Sequence, residues 1–470
     1  MDLAIFWNFI IVLGALSFLM LAAYRGYSIV LMAPIAALGA VLLTAPSEVA
    51  PMFSGVFMEK MVVFVKLYFP VFLLGAVFGK LIEMAGFSKS IVAAVVRWIG
   101  QEQAILVIVI VCALLTYGGV SLFVVVFAVY PFAAELFRQN AIPKRLIPGV
   151  VALGAFTFTM DALPGTPQIQ NIIPTVFFGT TSWAAPILGI IGSVFILIVG
   201  ILYLNWRRRV LVAAGEGYSN GVLINEPEPV DTSKLPSPIL AITPLFLIGI
   251  ANFALTKAIP YFYGASHTTS MPGFKEPMVT KISTVVGIWA VQGALLLGII
   301  FIAVTAWSTI KERVAEGSKS AVAGAMLAGL NTASEYGFGG VIAALPGFIV
   351  VSNALASIPN PLVNAAVSVS TLAGITGSAS GGMGIALAAL SEQFIAGAQA
   401  AGISMEVLHR VVAMASGGMD TLPHNGAVIT VLAVTGLTHR ESYRDIFAIT
   451  IIKTLAVFVV IAAYYMTGLV

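Results

Sequence analysis

Apolar runs of about 20 residues, the length a helix needs to cross a bilayer, recur along this chain from residues 3–23 to residues 446–469. No polar segment between them is long enough to fold by itself. Of the 470 residues, 59% are hydrophobic and 9% charged, whereas a soluble domain carries about 25% charged residues. Lipid must therefore be the main solvent, and the expected fold is an all-α polytopic membrane protein. Further candidate spans are 27–45, 61–85, 146–160, 184–206, 238–258, 281–308 and 321–351. The net charge of +3 points to no nucleic-acid partner. A single cysteine, Cys112, excludes an intrachain disulfide and a thiolate metal or redox motif. The first residues lack a basic segment and a small-residue cleavage pattern, so 3–23 reads as a span and not a removed signal.

Other apolar runs are interrupted. Residues 104–116 and 122–137 flank Tyr117-Gly118-Gly119-Val120-Ser121, and 361–375 and 385–398 flank a stretch from Thr376 to Gly382. Each half is too short to span, so each pair predicts a re-entrant helical hairpin. Irregular backbone at that depth is tolerated only when buried in protein or lining a cavity. Two more runs break at Asp161-Ala162-Leu163-Pro164-Gly165-Thr166-Pro167 and at Asp420-Thr421-Leu422-Pro423-His424-Asn425-Gly426. Proline removes a backbone donor and clashes with the preceding turn, which opens the helix there.

These features repeat. An offset of 259 residues pairs Gly118 with Gly377 and Ser121 with Ser380, and pairs Met160, Asp161, Leu163 and Pro164 with Met419, Asp420, Leu422 and Pro423. The expected organisation is a first membrane repeat at 1–206, a polar linker at 207–237 beginning with Arg207-Arg208-Arg209, and a second membrane repeat at 238–470. A second polar loop covers 259–280. Cytoplasmic loops are enriched in Lys and Arg. Placing the arginine run and the linker inside puts most of the 23 Lys and Arg residues inside as well. The first hairpin then enters from the cytoplasm and the second from outside, which predicts an inverted-topology repeat. One extra crossing within 321–351 would reverse the later part of the second half.

A carboxylate within a membrane segment is expensive and usually marks a substrate or proton pathway. Asp161 and Asp420 are expected to cap the half-helices that follow them, and to be able to carry protons. His424 and Glu335 are further proton-coupling candidates, although a lone histidine is more often an ordinary hydrogen-bonding group. Glu335 lies in a polar break expected at residues 331–337. The candidate substrate site comprises Asp161, Pro164, Gly165, Thr166, Gln168, Gln170 and Asn171 at one break, with Asp420, His424 and Asn425 at the other. Gly118, Gly119 and Ser121, then Thr376, Gly377, Ser378 and Ser380, come from the hairpin tips, and Asn331 from the polar break. No arginine is expected at these breaks, so an anion would be held by helix N-termini, hydroxyls and amides. Lys66, Lys80 and Lys453 are expected to snorkel from span ends. No metal set or cofactor motif emerges, and Gly381-Gly382-Met383-Gly384 lacks the residues of a phosphate loop.

Residues 159–171 (Thr-Met-Asp-Ala-Leu-Pro-Gly-Thr-Pro-Gln-Ile-Gln-Asn), Asn331-Thr332-Ala333-Ser334 with residues 337–348, and the segment around Leu422-Pro423-His424-Asn425-Gly426 resemble the gluconate permease family of the ion transporter superfamily. The resemblance extends from about residue 5 to the last residue. It implies proton-coupled uptake of small organic acids across the bacterial inner membrane, with the hydroxybutyrate or citrate-type branch the nearer one. It also implies a scaffold part, a moving part with an elevator-type motion, and a homodimer. Sodium coupling is the alternative within the carrier class. A channel would differ in flux that neither saturates nor couples to a gradient. An intramembrane aspartyl protease is disfavoured because Ser416-Gly417-Gly418-Met419, not Gly-x-Gly, precedes Asp420.

Overall fold

The computed structural model describes residues 3–219, 225–228, 234–273 and 276–470. Nearly everything in it is helical, as a lipid-facing chain must be to satisfy its backbone internally. Six helices among the described residues are long and apolar enough to cross a membrane, including Pro186–Ala213, Pro238–Tyr263, Ile282–Ile310 and His439–Thr467. Two bent pairs raise this to eight if each counts as one span. The 259–280 loop is not wholly irregular. Ser266–Thr269 and Met278–Lys281 pair as an antiparallel ribbon, with Ser266 opposite Lys281.

The order of elements in the first half recurs in the second. Met58–Met84, Phe87–Ile99, Ala104–Tyr117, Leu122–Gln139, Ile147–Ala155 and Ile169–Phe178 are matched by Val314–Ala344, Pro346–Ala356, Pro361–Thr376, Ala379–Ala400, Met405–Gly417 and Gly426–Thr435. Phe87 and Pro346, and likewise Tyr117 and Thr376, stand 259 residues apart. Packing recurs too. Ala104–Tyr117 lies on Ile147–Ala155 as Pro361–Thr376 lies on Met405–Gly417. The halves are also interleaved. Ile169–Phe178 packs on Ala379–Ala400, and Gly426–Thr435 packs on Leu122–Gln139. Around this centre, Val314–Ala344 lies along Met58–Met84, and Pro238–Tyr263 along Ile282–Ile310.

Several expectations are corrected. Residues 146–160 do not form one span: Ile147–Ala155 ends at Phe156, and only Phe158–Asp161 follows before the proline break. The polar stretch 331–337 does not break its helix, which runs unbroken from Val314 to Ala344. The chain turns at Leu345 instead, by 94°, where Pro346 starts a short helix. Proline dictates that turn, because it cannot donate inside a helix but suits its first position. In the second hairpin the turn is confined to Gly377 and Ser378, and Gly381 and Gly382 are already helical. The Pro186–Ala213 helix continues past residue 206, so Arg207 belongs to it and not to the linker. Arg207 is buried and its Nε donates to Asp445 at 2.6 Å. Of the expected linker, 220–224 and 229–233 lie outside the described residues. Its described part is anchored: Glu226 pairs with Arg138 and, at 2.9 Å, with Lys144.

Candidate functional site

At the first break the interrupted helix leaves carbonyls without helical partners, and a buried carbonyl needs a donor. Each of four receives one. Arg410 Nη1 donates to Asp161 O at 2.5 Å, the Tyr117 hydroxyl to Pro164 O at 2.9 Å, Asn252 Nδ2 to Gly165 O at 2.9 Å, and Asn171 Nδ2 to Thr166 O at 3.0 Å. Arg410 is fully buried and also donates to Ala184 O and Asn171 Oδ1. His409 is buried beside it and shares a 2.6 Å hydrogen bond with Thr180. The expectation that no arginine lies at the breaks is therefore wrong. Arg410 sits in a helix of the other half, Met405–Gly417, that crosses over to this break.

Asp161 does not cap the helix that follows it. Gln168 occupies that cap position, with no side-chain cap bond. One Asp161 oxygen, Oδ2, forms an ion pair with Lys453, and both side chains are fully buried. Its Oδ1 has no hydrogen-bond partner among the described residues. Lys453 Nζ also reaches Phe156 O at 3.3 Å, a carbonyl freed where Ile147–Ala155 ends. Lys453 does not snorkel: it lies midway along His439–Thr467 and turns inward. Gly417 creates its space, since a Cβ there would stand 1.7 Å from Asp161 Oδ2 and 2.1 Å from Lys453 Nζ.

The second break has a different character. Asp420 receives Ala379 N at 2.8 Å, Gln170 Nε2 at 3.0 Å and Asn425 Nδ2 at 3.2 Å. It thus serves the first N–H of the hairpin helix Ala379–Ala400, while Asn425 caps Gly426–Thr435 through Ala427 N. Asn425 also donates to Gly377 O at 2.7 Å, tying break to tip. Gly377 adopts φ +65°, which favours glycine. His424 covers it so closely that a Cβ would lie 2.2 Å from the ring. The His424 Nε2 atom is buried with no hydrogen-bond partner among the described residues. Ser378 caps Ala379–Ala400 through Gly381 N, and Ser380 lies 3.4 Å from Thr332. Glu335 is buried against Gly381, where a Cβ would be 1.6 Å from its Oε2. No hydrogen bond joins its carboxyl to a described residue.

The predicted residues therefore form two linked clusters. Asp420, Thr376, Gly377, Ser378, Ser380, His424, Asn425 and Glu335 gather at the second hairpin, and Gln170 reaches them from the first half. Asp161, Pro164, Gly165, Thr166 and Asn171 belong to the clamped first break. Gln168 Nε2 donates to Thr116 O at 2.7 Å, tying that break to the first hairpin tip. At that tip Gly119 turns with φ +91° and Leu245 presses on Gly118. Ser121 makes no side-chain cap bond. Asn331 is half-buried; its Oδ1 atom is buried with no hydrogen-bond partner among the described residues, and no hydrogen bond joins its side chain to Asp420's cluster. Sequence reasoning missed Arg410, His409 and Lys453. The signal was present: charged groups inside apolar runs are costly enough to need a reason. Among the described residues no group of three or more His, Cys, Asp or Glu could hold a metal.

No protein-family model matches the chain. It is 58% identical over 469 residues to the uncharacterized transporter YxjC of Bacillus subtilis (strain 168), covering 98% of this chain and 99% of that protein. Among solved structures, the YdaH transporter of Alcanivorax borkumensis aligns with 91% of this chain and 90% of its own, at 14% identity and a TM-score of 0.45.

Proposed function

Since the chain belongs to the same transporter family as that Bacillus protein, we propose that it is a secondary carrier for a small organic acid, driven by protons. The substrate class suggested by the resemblance to gluconate permeases is a short hydroxycarboxylate or a sugar acid, taken up across the bacterial inner membrane. The observation that carries this reading is the convergence on Asp420. A side chain from the first broken helix, a cap from the second, and the first N–H of a hairpin helix all meet one buried carboxylate. Helix N-termini and hydroxyls there suit a substrate carboxylate. Neither Asp420 nor Glu335 forms an ion pair with a described residue, so the coupling proton belongs with them. Asp161 already has Lys453.

The recurring elements and the interleaved halves support two repeats, and the charge bias supports their inversion. Alternating access by an elevator-type motion and a homodimer are extensions by resemblance. A protease dyad is disfavoured, because Asp161 and Asp420 share no hydrogen bond. The test is uptake into proteoliposomes of a panel of labelled hydroxy acids, with proton and sodium gradients imposed separately. Saturable uphill uptake driven by the proton gradient is expected. Accumulation only with sodium, or non-saturating flux, would reject the reading.

A further inference from the structure

The ammonium of Lys453 is surrounded as a bound monovalent cation would be. Its ligands are a carboxylate oxygen, Asp161 Oδ2, and a backbone carbonyl, Phe156 O, exposed where a helix is interrupted. Opened helix carbonyls and carboxylates are the groups with which discontinuous transporter helices hold sodium. The seat has space made for it, because only a residue without a Cβ fits at Gly417. It has a further open oxygen, Asp161 Oδ1. It is also not a product of the repeat. The residue 259 positions before Lys453 is Val194, and the matching carboxylate, Asp420, receives three N–H donors and forms no ion pair with a described residue. A flexible stem carrying a compact point charge is how a side chain can stand in for a free ion.

We propose that Lys453 is a tethered cation occupying a monovalent-cation seat built by Asp161 and the Phe156 carbonyl, and that this carrier is independent of sodium for that reason. The transport consequence rests on the carrier reading; the seat does not. With the ammonium removed, the Asp161 carboxylate is left buried beside an empty oxygen-lined space that a small cation can enter.

The test is thermal unfolding of the purified full-length protein in choline, sodium or methylammonium chloride at equal ionic strength. The wild type should unfold at one midpoint in all three. Lys453→Ala should unfold lower in choline, and sodium or methylammonium should shift its midpoint back upward. Lys453→Ala combined with Asp161→Asn should lose that cation response. Lys453→Ser is read in the same way should the alanine variant fail to accumulate. A wild type stabilised by sodium over choline would overturn the proposal, as would single variants indifferent to the cation. Because no substrate enters these measurements, they stand even if every acid in the uptake panel fails. A wild type that unfolds at one midpoint but shows no uptake would count against the carrier reading alone.

Discussion

At the residue scale, the chemistry of the centre is set by what small residues allow charged ones to do. Gly417→Ala would drive a methyl into the Asp161–Lys453 pair. Overpacking of this kind costs roughly 1–3 kcal/mol, and here it also displaces a buried ion pair. Gly426 has nothing within 4 Å of its would-be Cβ, so Gly426→Ala should stay within about 0.5 kcal/mol of wild type. Thermal or denaturant unfolding in detergent separates the two outcomes. Equal stability of both variants would mean that the pair does not depend on Gly417. Arg410→Met should be more damaging still. It strands Asp161 O and Ala184 O in a dry interior, at about 1–3 kcal/mol for each unsatisfied group.

At the scale of elements, the two breaks are built alike and held differently. The first is held by an arginine and a lysine, the second by amides, hydroxyls and an N–H. Their sequences anticipated the breaks themselves, because proline and glycine act locally. The clamps escaped notice because they depend on where a helix from the other half comes to lie. Val151 and Val194 stand at the positions in the first half equivalent to Arg410 and Lys453, so the symmetry of the motifs gave no hint of them. The polar stretch around Asn331 misled in the opposite direction. Polar side chains there turn toward the second hairpin, while the helix backbone remains intact. The second break, held by neutral groups, should yield first. Asn425→Ala removes its cap and its bond to the hairpin tip, with about 1 kcal/mol from the cap alone. Hydrogen exchange in 376–382 should quicken in that variant while exchange in 158–171 stays unchanged.

At the scale of the whole molecule, the linker joins the halves by contacts as well as by chain. Partial burial tends to raise the Glu226 carboxyl, but hydrogen bonds and charge from Lys144, with bonds from Arg138 and Tyr218, outweigh it and hold it below its ordinary value of 4.5. A carboxyl depressed in the folded state stabilises above its unfolded value and loses that contribution as pH falls through the folded one. A spin label at Glu228→Cys should therefore gain mobility as the medium is acidified below about pH 4.5, and Glu226→Gln should be mobile already at neutral pH. A label insensitive to both changes would show that the clasp does not hold the linker. Orientation is open to a direct test in a background carrying Cys112→Ala. Cysteines at Ser270 and Ser318, both exposed, should react with impermeant reagent from opposite faces of the membrane.

The reach of Lys453 and Arg410 across to the first break also sets a timetable for synthesis. The Asp161 carboxylate and the Asp161 carbonyl leave the ribosome about 250 to 290 residues ahead of the groups that satisfy them. Until residue 453 has been made and inserted, the first half holds an uncompensated carboxylate and an unclosed backbone. A nascent or truncated chain is thereby distinguishable from a finished one, and only the complete protein can bring its own centre to rest.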